Sequence, residues 1–341
     1  MQIGAYAAYN TALENITIPA SVLAIEGHAF ENSALRSVVF ASGSKLSTIN
    51  EAAFKGCASL ADIVIPDSVT FIGSAVFNGC PLSQRFSVPF IGSARDATGA
   101  NAVLGYFFGR AESGGISQKY AQQTSPISFE IPTTLKNVTV TSATAINYGA
   151  FSGCRFITSI SINSGVATIG ALAFEGCVSL ETLTVPFVGE RTNSVDARAT
   201  MRHVFGTESA SGISSVQTLV ITSAVTIAEN ALLGMTGLVN LTLNNVTSIH
   251  RGAFSGCLNL ENLTVPYIGA RSVADGQEAL LGYWFEQVAA GASGAVGQHY
   301  GDGAGQIAYA RIPQNIRNIT VTNASGIGYG ALSGLSNLTT L

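Results

Sequence analysis

The sequence predicts an α/β solenoid, in which short parallel strands stack coil upon coil. Three observations support this prediction. One sequence motif recurs at a near-constant period, apolar residues alternate within it, and Gly and Pro residues mark its turns. The fullest copy is AFKGCASLADIVIPDSVTFI at residues 53–72. Its landmark is an aromatic residue followed at the third position by Cys, with degenerate copies at Phe30, Leu232 and Leu332. The landmark recurs at Phe54, Phe77, Phe151, Phe174 and Phe254.

The period identifies the class of solenoid. Phe54 and Phe77 lie 23 residues apart, as do Phe151 and Phe174. Periods in the low twenties are typical of leucine-rich repeats, in which one coil cannot bury its apolar face until neighbours stack on it. We therefore expect a single leucine-rich-repeat domain over residues 1–341, a superhelix of about twelve coils with its strands on the concave face. Because both ends fall inside degenerate coils, the sequence predicts a fragment of a longer protein.

Each coil has the same internal pattern. A strand with alternating apolar residues comes first, Pro66 ends its pairing, and a second short extended piece follows. Residues 74–80 then predict a turn of helix ended by Gly79. First strands are expected at 13–18, 35–40, 60–65, 82–88, 135–140, 157–162, 180–185, 216–221, 238–243, 260–265, 316–321 and from Leu338 onward. At a strand spacing of about 4.8 Å, their sheet would be roughly 50–55 Å long.

Three related insertions interrupt the array, at residues 89–134, 186–215 and 266–315. They open with PFIG, PFVG and PYIG, followed by Arg95, Arg191 and Arg271 respectively. An aromatic cluster comes next, as in LGYFF at 104–108 and LGYWF at 281–285. The tails are rich in Gly, Ser, Ala and Gln, so residues 289–305 are expected to form a loop.

Composition narrows the function classes. Only 11% of residues are charged, the formal net charge is -4, and no cluster of Lys and Arg occurs. Nucleic acid is therefore not an expected partner. Apolar runs are far shorter than the roughly 18 residues of a spanning helix, so no membrane-spanning segment is expected.

Catalytic and metal-binding signatures are not found in the sequence. The five cysteines share one repeat position, which favours buried ladder residues over metal ligands. Cys57 and Cys80 would come close enough for a disulfide, but stacked side chains fit its torsion poorly, so we expect free thiols. The four histidines are scattered and no hydrolase or P-loop motif occurs, so the sequence predicts a protein without catalysis, cofactor or metal.

Two sets of residues are candidates for ligand binding. On the concave face, Asn240, Thr242, Asn262 and Thr264 could form a hydrogen-bonding surface, although β-propensity and contacts between coils are the preferred explanation for them. In the insertions, exposed aromatic rings could anchor a partner. A small core within each insertion is the competing explanation for them, and Trp284 and Tyr283 are the rings most expected to be exposed. The insertion candidates are Tyr106, Phe107, Tyr283 and Trp284.

The repeat AF-x-G-C-x-x-L-x-x-I-x-I-P-x-x-V-x-x-I-G resembles the BspA-like leucine-rich-repeat family over about two thirds of the chain. This resemblance implies a secreted or surface-exposed bacterial protein, often an adhesin that binds host matrix proteins or glycans. Two alternatives remain open: a structural stalk that displays another domain, and a glycan-processing enzyme housed in an insertion. The resemblance does not identify the ligand.

Overall fold

The computed structural model describes residues 1–121, 125–206, 210–303 and 305–341, with backbone only for 210–212. The chain divides into two units, Met1–Leu180 (unit 1) and Glu181–Leu341 (unit 2). Both units consist of stacked coils, and each coil begins with a short first strand, as the sequence predicts. The fold is mostly β with a few short helices, which confirms the leucine-rich-repeat solenoid.

First strands in unit 1 form parallel pairs between successive coils. Their central residues alternate inward, so Ile63, Phe86, Val138 and Ile160 lie in register and are buried. The strands are Asn15–Ile18, Ser37–Phe40, Asp62–Val64, Arg85–Val88, Asn137–Val140 and Ser159–Ile162.

Unit 2 repeats this arrangement. Leu219, Leu241, Leu263 and Ile319 form one buried row in register across its parallel strands. The strands are Thr182–Val185, Thr218–Ile221, Asn240–Leu243, Asn262–Val265 and Asn318–Val321. The copy expected from Leu338 contributes an isolated bridge between Asn318 and Thr340.

A second strand of two residues follows the first in most coils and points a branched residue into the core. Ile25, Ile49 and Ile72 lie in one such register and are fully buried. The second strands are Gln2–Ile3, Ala24–Ile25, Thr48–Ile49, Phe71–Ile72, Ala145–Ile146 and Thr168–Ile169 in unit 1, with Thr226–Ile227 and Ser248–Ile249 in unit 2.

The helical turn predicted for residues 74–80 is wrong, because the chain forms consecutive turns there. Ala75 (φ 52°) and Gly79 (φ 77°) adopt the left-handed conformation four residues apart, and this interrupts a right-handed helix. The preceding coil has the same turns, and its N–H groups bond across to this one: Phe54 donates to Val76 O at 3.0 Å and Gly56 to Asn78 O at 2.7 Å. The backbone groups that a helix would satisfy internally are paired between coils instead.

Aromatic and cysteine ladders fill the interior behind these turns. The rings of Phe30, Phe54 and Phe77 stack at 5.3 Å and 5.9 Å. All five cysteines are buried free thiols, which confirms that prediction. Cys57 Sγ donates to the carbonyl of Phe30 at 3.3 Å and Cys80 Sγ to that of Phe54 at 3.1 Å, so equivalent thiols have equivalent surroundings.

The first and third insertions replace a turn in the coil stack. Phe77 N–H donates to Phe107 O at 2.9 Å, and Phe254 N–H donates to Trp284 O at 2.7 Å, as if Phe107 and Trp284 belonged to the next coil. The segments are 3-10 helices, Gly99–Ala102 and Leu104–Phe108 in one insertion, Gly276–Ala279 and Leu281–Trp284 in the other. These insertions are therefore part of the repeat core.

Each of these insertions ends in an antiparallel hairpin. The strands are Ile116–Gln118 with Ile127–Phe129, and Val296–His299 with Ile307–Ala310. The loop expected at residues 289–305 is thus wrong in part, because a strand begins at Val296. In the second insertion, the described residues form the helices Met201–Phe205 and Ala210–Ser215.

Two buried glutamines join the hairpins to the stack. Gln118 Oε1 accepts a hydrogen bond from Gly105 N–H at 2.6 Å, and its Nε2 donates to Ser152 O at 3.1 Å. Gln298 makes the same bonds, with Gly282 N–H at 2.7 Å and Ser333 O at 3.0 Å. Each amide supplies hydrogen bonds that a regular coil would make with its own backbone.

Candidate functional site

The outer face of the first-strand sheet is the main candidate site, and in unit 2 it carries two rows of polar side chains. The amide row consists of Thr218, Asn240, Asn262 and Asn318, which are register partners. Asn240 Nδ2 donates to Thr218 Oγ1 at 3.0 Å, Asn262 Nδ2 to Asn240 Oδ1 at 2.7 Å, and Asn318 Nδ2 to Asn262 Oδ1 at 2.6 Å. The row is thus fixed by contacts between coils.

The hydroxyl row lies beside it and consists of Thr242, Thr264 and Thr320, again in register. Within the part of the chain that the structure describes, the hydroxyls of Thr242 and Thr264 make no side-chain hydrogen bond. Thr242 and Thr264 are half-buried and stand next to a row whose rotamers are held. Their hydroxyls can therefore donate to or accept from a ligand without breaking an internal bond.

The outer face of unit 1 is different, because it combines charged and apolar side chains. A pocket of about 500 Å³ is bordered by Val39 and Val64, which are 52% and 41% exposed. Asp67 lies on its rim, and Arg85 Nη2 donates to Asp62 Oδ2 at 3.1 Å across neighbouring strands. Two exposed apolar side chains beside an ion pair can contact a protein surface.

Tyr106 and Tyr283 occupy equivalent, half-buried positions in the first and third insertions. Tyr106 borders a pocket of about 440 Å³ together with Glu51 and Arg110. Burial and then the Glu51 carboxylate raise the pKa of Tyr106, and burial and then Glu278 raise that of Tyr283. Both phenols therefore remain protonated at neutral pH and can act as hydrogen-bond donors.

Phe107 and Trp284 lie next to these tyrosines and are fully buried. Trp284 Nε1 donates to Gly269 O at 2.6 Å, which satisfies its only polar atom. Of the two rings most expected to be exposed, Trp284 lies in the core and Tyr283 keeps partial access. The insertion core predicted as the alternative accounts for the buried rings.

Sequence reasoning did not single out a function for Arg95, which spans neighbouring coils. Its Nη2 donates to Asp67 O at 2.8 Å and to Ser142 Oγ at 2.8 Å, and its Nε donates to Ser142 O at 3.1 Å. The guanidinium also lies 5.3 Å from the ring centroid of Phe90. Its repetition as Arg191 and Arg271 after each PFIG-like phrase was the available signal.

Unit 2 has a cleft of about 610 Å³ where its first strands end. Asn245, Thr247, Thr322 and Asn323 contribute polar groups to its wall, and none of the described residues that line it carries a charged side chain. In the described residues, no group of three or more His, Cys, Asp or Glu side chains could hold a metal ion. None of the helices described has the length and apolar character needed to cross a bilayer.

Comparison with known proteins identifies the repeat. The family model described as "BspA type Leucine rich repeat region" matches six copies, over residues 1–92, 122–197 and 204–274. No curated protein matches this chain.

Solved structures give only distant likenesses. A leucine rich cell surface protein from Faecalibacterium prausnitzii is 22% identical over 74% of this chain, with a TM-score of 0.29, and this chain covers 59% of its length. The pneumococcal vaccine antigen PcpA is 15% identical, with 95% of this chain and 74% of that one covered and a TM-score of 0.27. A leucine-rich repeat protein from Bacteroides ovatus is 19% identical, covering 78% and 70%, with a TM-score of 0.29.

Proposed function

Since the chain belongs to the BspA-type leucine-rich-repeat family, we propose that it is a non-catalytic binding protein of a bacterial cell surface. In this proposal it attaches to a host matrix protein or glycan through the outer face of its first-strand sheet. Its location is then extracellular or on the cell surface. The resemblance of its repeats to surface adhesins supports this location.

One observation carries the proposal: in unit 2 a fixed amide row stands beside hydroxyls that have no partner among the residues the structure describes. Asn240 and Asn262 are tied by hydrogen bonds to neighbouring strands, so little side-chain entropy is lost when a ligand binds next to them. Thr242 and Thr264 then provide contacts at the strand spacing of about 4.8 Å. Such a surface is suited to an extended chain of repeating polar groups.

The insertion aromatics have two roles in this proposal. Tyr106 and Tyr283 contact the ligand through partly exposed rings and phenolic hydroxyls. Phe107 and Trp284 are buried and hold those tyrosines in position from within the stack. Tyrosine is well suited to contacts with proteins and sugars because its ring is rigid and its hydroxyl is polar.

The test is binding of the purified chain to panels of host matrix proteins and glycans. A ligand found in either panel is then measured against the double variant Thr242→Val/Thr264→Val, which keeps side-chain shape and removes both hydroxyls. Loss of each hydrogen bond should weaken binding by about 0.5–1.5 kcal/mol, so the double variant should bind roughly 5- to 150-fold less tightly.

The matched control is Thr226→Val, a half-buried threonine on the second-strand sheet. It should bind as the unaltered chain does. Equal binding by all three proteins would refute the outer face as the site. A clean negative across both panels would refute adhesion and favour the stalk interpretation.

A further inference from the structure

The two units contain versions of one cleft, and in unit 1 that cleft already holds a guanidinium. Arg95 reaches back from the first insertion and donates to the carbonyls of Asp67 at 2.8 Å, Val69 at 3.2 Å and Ser142 at 3.1 Å. A fourth bond runs from Nη2 to Ser142 Oγ at 2.8 Å. The planar fork of arginine is thus matched by acceptors from two coils.

Unit 2 repeats the backbone that forms this cleft. Ser142 N–H donates to Pro89 O at 3.1 Å in unit 1, and Asn323 N–H donates to Pro266 O at 3.0 Å in unit 2. Asn323 therefore takes the place of Ser142 in the chain, with an amide side chain instead of a hydroxyl. Asn245 and Val246 follow their first strand as Asp67 and Val69 do, through a turn that is one residue shorter.

The arginine of the third insertion does not occupy the unit 2 cleft. Arg271 Nη1 lies 2.9 Å from Glu278 Oε2, and Arg271 is not part of the cleft wall. Position along the chain contributes to the difference: Ser93 N–H donates to Asn101 O and Ala270 N–H to Glu278 O, but Arg95 is the second residue after Ser93 and Arg271 is the first after Ala270. The third insertion thus has a carboxylate where the first has a neutral amide, and this carboxylate pairs with Arg271.

We propose that the unit 2 cleft binds the guanidinium of an arginine side chain from a protein partner. The wall offers carbonyl and hydroxyl acceptors of the kinds that Arg95 uses, and side-chain amides besides. Its described residues include no carboxylate, since Asn245 stands where unit 1 has Asp67. A neutral wall selects for the number and planar geometry of donors, so arginine with five N–H groups is preferred to lysine with three. This inference rests on the proposed binding function and favours a protein ligand over a glycan.

The test uses N-acetyl-arginine amide as the probe, titrated into the full chain by calorimetry or NMR. For a probe of this size we expect one site with a dissociation constant on the order of 1 mM. N-acetyl-lysine amide should bind at least about tenfold more weakly. Asn323→Leu removes an acceptor from the wall and should abolish the saturable signal.

Arg95→Ala is the internal control, because it frees the unit 1 cleft. This variant should bind two molecules of the arginine probe, with circular dichroism confirming that it folds. Equal binding of the arginine and lysine probes would overturn the proposal, as would a single site in Arg95→Ala with none in the unaltered chain. Binding that appears only after Arg271→Ala would show that the chain's own arginine fills the cleft.

The arginine test can fail independently of the adhesion test. Thr242→Val/Thr264→Val lies on the sheet face and should leave binding of the arginine probe unchanged. If Asn323→Leu loses the probe but still binds the panel ligand, the cleft does not contribute to partner binding and the proposal is overturned. The adhesion proposal would then stand, with the sheet face as its binding site.

Discussion

Gln298→Met tests whether one buried amide holds the third insertion in the stack. Gln298 is 1% exposed, its Oε1 accepts from Gly282 N–H at 2.7 Å, and its Nε2 donates to Ala331 O at 2.9 Å and Ser333 O at 3.0 Å. Methionine fills a similar volume but makes none of these bonds.

The expected cost follows from the groups left without a partner. Ala331 O still accepts a hydrogen bond from Leu281 N–H at 3.0 Å, so the substitution orphans Gly282 N–H and Ser333 O. At about 1–3 kcal/mol for each group, and with partial access of Ser333 to water, we expect the free energy of unfolding to fall by about 2–4 kcal/mol. With an unfolding slope of about 2 kcal/mol/M, the urea midpoint should fall by roughly 1–2 M.

Trp284 provides a local readout for this experiment. It is the single tryptophan of the chain and lies two residues from Gly282, so its fluorescence reports on the insertion itself. The control is Gln217→Met, an exposed glutamine of unit 2 that should shift the free energy of unfolding by less than about 0.5 kcal/mol. A Gln298→Met midpoint no lower than that of the control would refute the bridging role. Gln118→Met should repeat the effect in unit 1.

Further predictions concern the core. Gly92→Ala should lower the free energy of unfolding by about 2 kcal/mol or more in urea titrations, since φ is 97° and a Cβ would lie 2.1 Å from Asn101 O. Tyr267→Phe should raise it by about 1 kcal/mol, because the buried hydroxyl has no partner in the described structure; a decrease would contradict this. Burial raises the pKa of Cys177 and Cys257 to about 12, above the ordinary value of 9.0. Since the folded state then retains protons that the unfolded state loses, stability should be complete below about pH 9 and fall progressively toward pH 12. Urea titrations at about pH 9 to 12 measure this fall. A free energy of unfolding that does not change over this pH range would contradict the raised thiol pKa values.

The structure also changes how the insertions should be tested. If the chain is a structural stalk, deleting an insertion should leave attachment unchanged, but Phe107 and Trp284 occupy core positions of the stack. Removing either ring leaves a cavity that costs about 3–5 kcal/mol, so a deletion would confuse loss of folding with loss of binding. Substitutions on the sheet face avoid this difficulty.

The repeat spacing determined the strands. Apolar residues alternate within each copy, and a strand shifted by one residue would turn Leu241 or Leu263 outward, so both existence and register follow from sequence. The buried free cysteines follow from the same argument, since one position recurs in equivalent surroundings.

The helical turn at residues 74–80 could not be corrected from sequence, because Ala75 has high helix propensity. In the structure it adopts φ 52° and its N–H donates to Tyr106 O of the first insertion at 3.0 Å, a contact that no local pattern indicates. Gln118 and Gln298 likewise look like loop residues, and they lie 10 and 13 residues after LGYFF and LGYWF, so no constant spacing distinguishes them. The sequence predicted the face that carries Asn240 and Thr242. It did not predict that Asn240 bonds to neighbouring strands while Thr242 keeps its hydroxyl available, because this depends on which neighbours their side chains reach.

The sequence by itself determined the repeated coil, because burying a branched side chain at every second position is a local and periodic requirement. Only the tertiary structure decided how the insertions join the stack, which hydroxyls lack a partner among the described residues, and which groups Arg95 and Arg271 bind. Those outcomes depend on hydrogen bonds between groups from coils far apart in the chain, and no local sequence pattern specifies such long-range contacts.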